Sequence, residues 1–400
     1  MDLTSGYPFW PVRDGLLDTY PALKQDLRCE VAVIGGGISG ALAAYCLAEA
    51  GVDVAVIERR DIGHGSTAAS TALLIYEFDT HLTELAGMIG EEQAAAAYRV
   101  CCEAIGRLEG IVAGLDDRCE WEPTKSLYFA SRRRDARALR AEHELRRRHG
   151  FEVELWEGGE IEERLPFASP AALYTQHAAQ VDPFRLTHAL LRRAAASGAR
   201  IFDRTAIASH EQRGDGLLLT TAAGARIEAR RAVFATGYES QDYLKQRVAR
   251  LKSTYALISE PVDPATLWHE RCVMWETARP YIYLRTTADN RVLVGGEDID
   301  TPHPGRRDRK MERKIRRLGE RFREMFPAIE LDVAYAWSGI FAETKDGMAY
   351  IGETAEFPNS YFALGFGGNG ITFSMVAAEI IRDLYLGRPN QAASIFRFDR

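Results

Sequence analysis

The stretch EVAVIGGGISGALAAYCLAEAGVDVAVIE, residues 30–58, decides the fold. Val31 to Ile34 is a short apolar β run. Gly35, Gly37 and Gly40 then fit G-x-G-x-x-G. Ala41 to Ala50 is small and helix-favouring, and Gly51 suits a helix end. Val52 to Ile57 is a second strand, and it ends at Glu58. Strand, glycine turn, helix, strand and acid follow one another at the spacing of a dinucleotide-binding unit. Gly35 permits the tight turn. Gly37 lets the backbone approach a pyrophosphate, which sits where Ile38 and Ser39 open the helix, because free N–H groups and the helix dipole favour an anion there. Gly40 lets helix and strand pack closely. Glu58 is placed to accept hydrogen bonds from a ribose, which argues against a 2′-phosphate and hence against NADP. The motif alone leaves NAD and FAD open.

Composition narrows the rest. The chain has 400 residues, 46% of them hydrophobic and 27% charged, with a net charge of −7. That is ordinary globular composition for two or three domains, and it does not suit a generic binder of nucleic acid. The six cysteines show neither a C-x-x-C pair nor metal-ligand spacing, so reduced thiols and no metal are expected. The start has no basic and apolar leader pattern. The most apolar stretch, residues 41–57, contains Glu49 and Asp53 and is too short to span a bilayer. A cytoplasmic protein without a membrane span is expected.

Further along, Ser66, Thr67, Ser70 and Thr71 stand at the start of a helix-like stretch and can offer hydroxyls to a phosphate or flavin. Residues 82–115 are helical in pattern, 121–131 strand-like, and 135–149 a charged helix. The basic runs Arg146 to Arg148 and Arg306 to Arg317 read as solvated faces. Asp182-Pro183 opens a helix that Gly198 ends, a strand meander follows to Glu228, and FATG carries the turn Thr236-Gly237. A second antiparallel region runs from about 251 to 294. At positions 361–374, YFALGFGGNGITFS again places glycines between a strand and a helix.

These pieces, in this order along nearly the whole chain, resemble the D-amino-acid oxidase-like superfamily of FAD-dependent oxidoreductases, the group of glycine oxidase and sarcosine oxidase. The matching segments are VIGGGISG with Glu58, GSTAAS, VDPFRLTHALLRRA, the ATG of FATGYE, YIYLRTTADNRVLVGG, KDGMAYIGE and LGFGGNGITFS. The resemblance implies an α/β fold. A Rossmann-like FAD-binding domain of glutathione-reductase type would take residues 1–82, 176–242 and 335–400. A discontinuous mixed-sheet substrate domain would take 83–175 and 243–334. It implies that the first β-α-β unit binds the ADP half of FAD, with Arg59, Ser66, Thr67, Thr236 and Gly237 nearby and Ala206 at the adenine. Gly365, Gly368, Asn369, Gly370, Ile371 and Thr372 would face the flavin ring, where a helix N-terminus stabilises the charge that reduction puts on it.

The implied reaction is oxidation of the C–N bond of an amine or amino acid: a hydride leaves for flavin N5 and the imine hydrolyses. O2 or another carrier would take the electrons. In RPYIYLR, strand alternation puts Arg279, Tyr281, Tyr283 and Arg285 on one face, suited to an anionic or planar polar substrate. Trp337 and Phe341 would add an apolar wall. Three departures from the family stand out. Phe341-Ala342 replace the Arg-Pro whose arginine holds a substrate carboxylate. Leu293 replaces a flavin-proximal lysine. Ala69 replaces the histidine that links flavin covalently, so non-covalent FAD is expected. Either Arg285 or Arg279 replaces the missing clamp, or the substrate lacks an α-carboxylate. Two other readings are a nicotinamide-linked dehydrogenase, which the C-terminal glycine segment disfavours, and a flavin-binding subunit or regulatory flavoprotein without turnover of its own.

Overall fold

The computed structural model describes residues 2–400 and contains two large sheets. The first has the order Tyr350–Glu353, Ser360–Leu364, Arg226–Phe234, Leu27–Ile34, Val54–Ile57 and Arg200–Phe202. Its last five strands are parallel, and Tyr350–Glu353 is antiparallel at the edge. Residues 31–34 and 54–57 are wholly buried. Continuous apolar runs of this kind suit strands covered on both faces. Helices Ile38–Glu49, Pro183–Ala196 and Gly370–Tyr385 pack beside one another on this sheet. The antiparallel strands Ile207–Arg213 and Gly216–Thr221 continue from Arg226–Phe234.

The second sheet runs Thr4–Gly6, Val333–Thr344, Ala249–Ser259, Val292–Ile299, Ile282–Thr286, Val273–Glu276, Glu122–Phe129, Ala171–Gln180 and Leu73–Ile75, with Val153–Glu157 also on Ala171–Gln180. Val273–Glu276 pairs in parallel with Glu122–Phe129 and the other pairings are antiparallel, so the sheet is mixed. Alternation divides its faces. Tyr255, Leu257, Ile282, Leu284 and Val294 pack against Leu318 and Phe322 of helix Met311–Met325. Ala256, Ile258, Leu293 and Trp337 point to the other face, where Phe9 and Trp10 cover one end.

Three expectations need correction. Residues 61–69 form turns rather than the start of a helix, and Leu73–Ile75 is a strand. The segment crosses from the first sheet to the far edge of the second. Arg146 is not on a solvated face: it is fully buried, its Nε donating to Glu142 Oε1 at 2.8 Å and its Nη1 to Glu77 Oε1 at 3.4 Å. Arg307 is buried too, donating to the carbonyls of Asp2 and Thr4 and so pinning the N-terminal strand. In both runs the neighbouring arginines remain at the surface; in the second, Lys314 is buried as well, on Glu297 Oε2 at 2.8 Å, and each buried member is matched by fixed acceptors.

Candidate active site

A cavity of about 440 Å³ lies along the seam between the sheets. One end is built by the first glycine turn. Gly35 has φ +111°, and a Cβ there would stand 2.3 Å from the Ala235 carbonyl oxygen. A Cβ on Gly40 would stand 1.8 Å from the Gly35 carbonyl oxygen, so Gly40 seals helix against strand and does not itself reach the cavity. Gly37, Ile38 and Ser39 line it. The Ile38 N–H donates to Thr67 Oγ1 at 2.9 Å, which fixes the 63–72 crossing against the helix start. Glu58 also lines the cavity. Its two oxygens accept the N–H groups of Gly36 and Arg60, each at 2.7 Å, so the carboxylate is held before any ribose arrives. Arg59, ion-paired with Glu239, lies beside it, and Ser66, Ala206, Thr236 and Gly237 complete this end.

The second glycine turn lies farther along the same cavity. Gly365 has φ +78°, and a Cβ there would stand 2.6 Å from Thr344 Cγ2. Gly365, Gly368, Asn369, Gly370 and Ile371 line the space. Asn369 Nδ2 donates to the carbonyls of Ile75 and Glu77, at 3.0 and 2.8 Å, and ties the turn to the crossing segment. That side chain is therefore not spent on capping helix Gly370–Tyr385, whose first N–H groups stay open. Thr372 is buried behind the turn, its hydroxyl on the Ile75 carbonyl, and does not line the cavity. Ser39 and Ser374 meet at 2.7 Å, so the two glycine-turn helices touch near their starts. A Cβ on Gly370 would meet nothing within 4 Å. Two helix starts without caps from their own N-cap side chains, facing one cavity with open room at Gly370, fit FAD.

Beyond this turn the cavity widens against the ten-stranded sheet. Tyr281, Tyr283 and Phe341 line it. Tyr283 lies flat over Gly295, where a Cβ would stand 2.3 Å from its ring. Arg285 shares the face of Tyr283 but stands past the cavity's end. It is buried beneath the Trp10 ring and donates to the carbonyls of Thr71, Ala72, Val181 and Thr286. Burial lowers its guanidinium to about 10, with Asp182 opposing. Its Nε and Nη1 are held by those carbonyls and the side chain does not line the cavity, so the structure does not place it as the expected replacement clamp. Trp337 is likewise out of reach, buried with its Nε1 on the Ala69 carbonyl at 2.9 Å. Arg279 does not line the cavity either: it lies over the Tyr281 ring and 3.7 Å from Asp79 Oδ1. Leu293 is buried in the cluster around Trp10, and Ala69 lines the cavity with a methyl group.

Sequence reasoning missed Asp79, Tyr238, Thr254, Trp275 and Asp298, all of which line this end. Asp79 stands over the second turn, with Oδ2 3.7 Å from where a Gly367 Cβ would be. Burial raises its carboxyl above the usual range, while Arg279 opposes. Burial also pushes Asp298 up to about 7; a Thr254 hydrogen bond opposes this and neighbouring Asp79 adds to it. Burial lifts the hydroxyls of Tyr281 and Tyr283, the latter to about 12. No local pattern marks these acids. They are single residues on a crossing segment and a strand end, brought together only by the sheet order.

The sequence model of the family described as FAD dependent oxidoreductase matches residues 30–384. The chain is 29% identical over 377 residues to a glycine oxidase of Bacillus licheniformis, covering 90% of this chain and 94% of that one. It is 28% identical over 387 residues to YhfW of Bacillus subtilis, described as a Rieske 2Fe-2S iron-sulfur protein, covering 95% of this chain and 73% of that one. The fold matches a crystal structure of L-proline dehydrogenase from P. horikoshii with a TM-score of 0.77 and 22% identity, over 94% of this chain and 99% of that one. FAD-dependent redox turnover is the activity of the family, and the readings without turnover or with nicotinamide are not favoured. The chain belongs to the FAD dependent oxidoreductase family.

Proposed function

We propose that the cavity divides into a cofactor end and a reaction end. Gly35 to Ser39 hold the pyrophosphate of FAD, Glu58 the ribose, and Ala206 the adenine. Gly365 to Ile371 hold the flavin ring. The observation that carries this reading is the pair of helix starts, Ile38–Glu49 and Gly370–Tyr385, opening onto one continuous cavity without a cap from Gly37 or Asn369. FAD, when bound, accepts the hydrogen and electrons of the substrate's C–N oxidation. The chain's own part is positioning. Tyr281, Tyr283 and Phe341 wall the reaction end and keep water from it. The Gly370 N-terminus meets negative charge with backbone N–H groups. Ala69 offers no atom for a covalent link, which supports non-covalent FAD.

We also propose the eight-stranded sheet with its helices as the cofactor unit and the ten-stranded sheet as the substrate unit. Thr4–Gly6, Leu73–Ile75 and Val333–Thr344 then go with the latter because of their pairing. The substrate is a small amine or amino acid, and the acceptor is O2 or a separate carrier. The test is spectroscopic. Purified protein should show flavin absorbance, and acid precipitation should release the flavin into the supernatant. Anaerobic mixing with amines and amino acids should bleach it, and O2 or a dye should restore it. Flavin that stays in the pellet would overturn the non-covalent assignment. Bleaching by dithionite but by no amine or amino acid would overturn the proposed substrate range.

A further inference from the structure

The reaction end carries charge of one sign. Its charged lining side chains are carboxylates: Asp79, Asp298 and, deeper, Glu77, the last paired with Arg146 behind the wall. The arginines that line the cavity, Arg59 and Arg60, lie beside Glu58 at the other end and pair with Glu239. Near the acids, Lys252 is paired with Glu343 at 2.6 Å and Arg279 lies 3.7 Å from Asp79; both attract Asp298 from farther off, and neither forms an ion pair with it. Asp298 therefore has Thr254 as its neutral neighbour, and its Oδ1 is shut off from solvent without a hydrogen-bond partner. A second buried polar atom on the same wall is also unsatisfied: Trp275 Nε1, on a side chain stacked on Tyr128 with 3.7 Å between ring centroids. Tyr238, Tyr281 and Tyr283 flank the two. Buried polar groups of this kind need partners, and a carboxylate without an ion-pair partner among aromatic rings is matched by a cation.

We propose that Asp298, with Asp79, selects a substrate that enters as an ammonium and has no α-carboxylate. The proposal rests on the flavin-dependent C–N oxidation above and narrows its substrate. A carboxylate-bearing ligand would meet two acids here and no lining guanidinium, since neither Arg285 nor Arg279 lines this end. Like charges at this range in a water-poor site repel strongly. An ammonium beside Asp298 also has somewhere to put its proton. The N–H bond breaks as the Asp298 O–H forms, leaving the neutral nitrogen from which oxidation starts.

The test uses FAD-loaded protein and pairs of compounds that differ only by the α-carboxylate: pentylamine against norleucine, and phenethylamine against phenylalanine. Anaerobic flavin reduction gives the rate, and the shift of the flavin spectrum on titration gives Kd. The amine of each pair should react or bind at least tenfold better. Asp298→Asn should weaken the amine at least tenfold and narrow the gap within each pair. Asp79→Asn, a second variant, should act in the same direction if Asp298→Asn loses flavin. Preference for the amino acids, with both variants unchanged, would overturn the selection by Asp298 and Asp79. If no compound bleaches the flavin, the turnover reading fails, while the Kd values for amine and amino acid still decide the selectivity.

Discussion

Two glycines and one arginine do three different jobs, and substitution separates them. A Cβ on Gly40 would lie inside van der Waals contact of fixed backbone, so Gly40→Ala forces helix and strand apart. A stability loss of roughly 2 kcal/mol or more is expected in urea unfolding. Gly370 is helical and its missing Cβ points into open room. Gly370→Leu should therefore fold with little loss yet bind FAD at least tenfold more weakly, measured by flavin retained on gel filtration. Full retention would remove Gly370 from the flavin site. Arg285→Ala is the third case. It leaves buried carbonyls of Thr71, Ala72 and Val181 without their donor, so a loss of roughly 3 kcal/mol is expected, with no change in preference between charged and neutral substrates. A selective rise in KM for acidic substrates in that variant would return Arg285 to the substrate site.

Elements explain why part of the site was legible and part was not. Each glycine turn lies between a strand and the helix after it, so a dozen contiguous residues carry its whole logic. Alternation along residues 279–285 found the right face of the sheet. It could not say where along that face the cavity stops, and so Tyr283 and Arg285 looked equivalent. The same holds for Phe341 and Trp337, four residues apart on one strand. Phe9 and Trp10, from a segment without a motif, close off the end where Arg285 and Trp337 sit. The buried pair in helix Ala136–Arg148 was hidden in another way. Glu142 accepts the N–H groups of Leu82 and Thr83, capping helix Leu82–Ile89 from another element, and Arg146 balances it. Removing the arginine alone strands two buried carboxylates, Glu142 and Glu77. Arg146→Ala should cost about 3–5 kcal/mol in urea unfolding, far beyond what Arg147→Ala costs at the surface. Equal effects would show that the pair is not what ties the two helices.

At the scale of the molecule, the candidate site lies on the seam between the two sheets. The eight-stranded half supplies Gly35, Gly37, Ile38 and Ser39 to the cavity and the ten-stranded half Thr254, Tyr283 and Asp298, so on the proposed reading a bound flavin would touch both. A ligand held only by the folded state adds about 2.7 kcal/mol at a hundredfold excess over its Kd. The acids at the seam act the other way, and the sign follows from their pKa. Asp298 sits near 7 against an ordinary 3.8, so the folded state holds its proton more tightly than the unfolded chain does. The protein is therefore favoured at low pH with respect to this group, and that advantage is lost as pH rises from about 4 through 7. Asp298 keeps partial exposure as a residue although its Oδ1 is enclosed, so the loss is on the order of 1–2 kcal/mol rather than the full value for a wholly enclosed carboxylate. Asp298→Asn should accordingly unfold at higher urea than the parent at pH 8 and at the same urea at pH 4, both saturated with FAD. If the flavin bridges the halves as proposed, its release and the change in tryptophan emission, dominated in the ten-stranded half by Trp156, Trp268, Trp275 and Trp337, should coincide in each melt. A gain at pH 4 equal to that at pH 8 would mean that the Asn acts by packing, and tryptophan change after flavin release would mean that the two halves hold together without the cofactor.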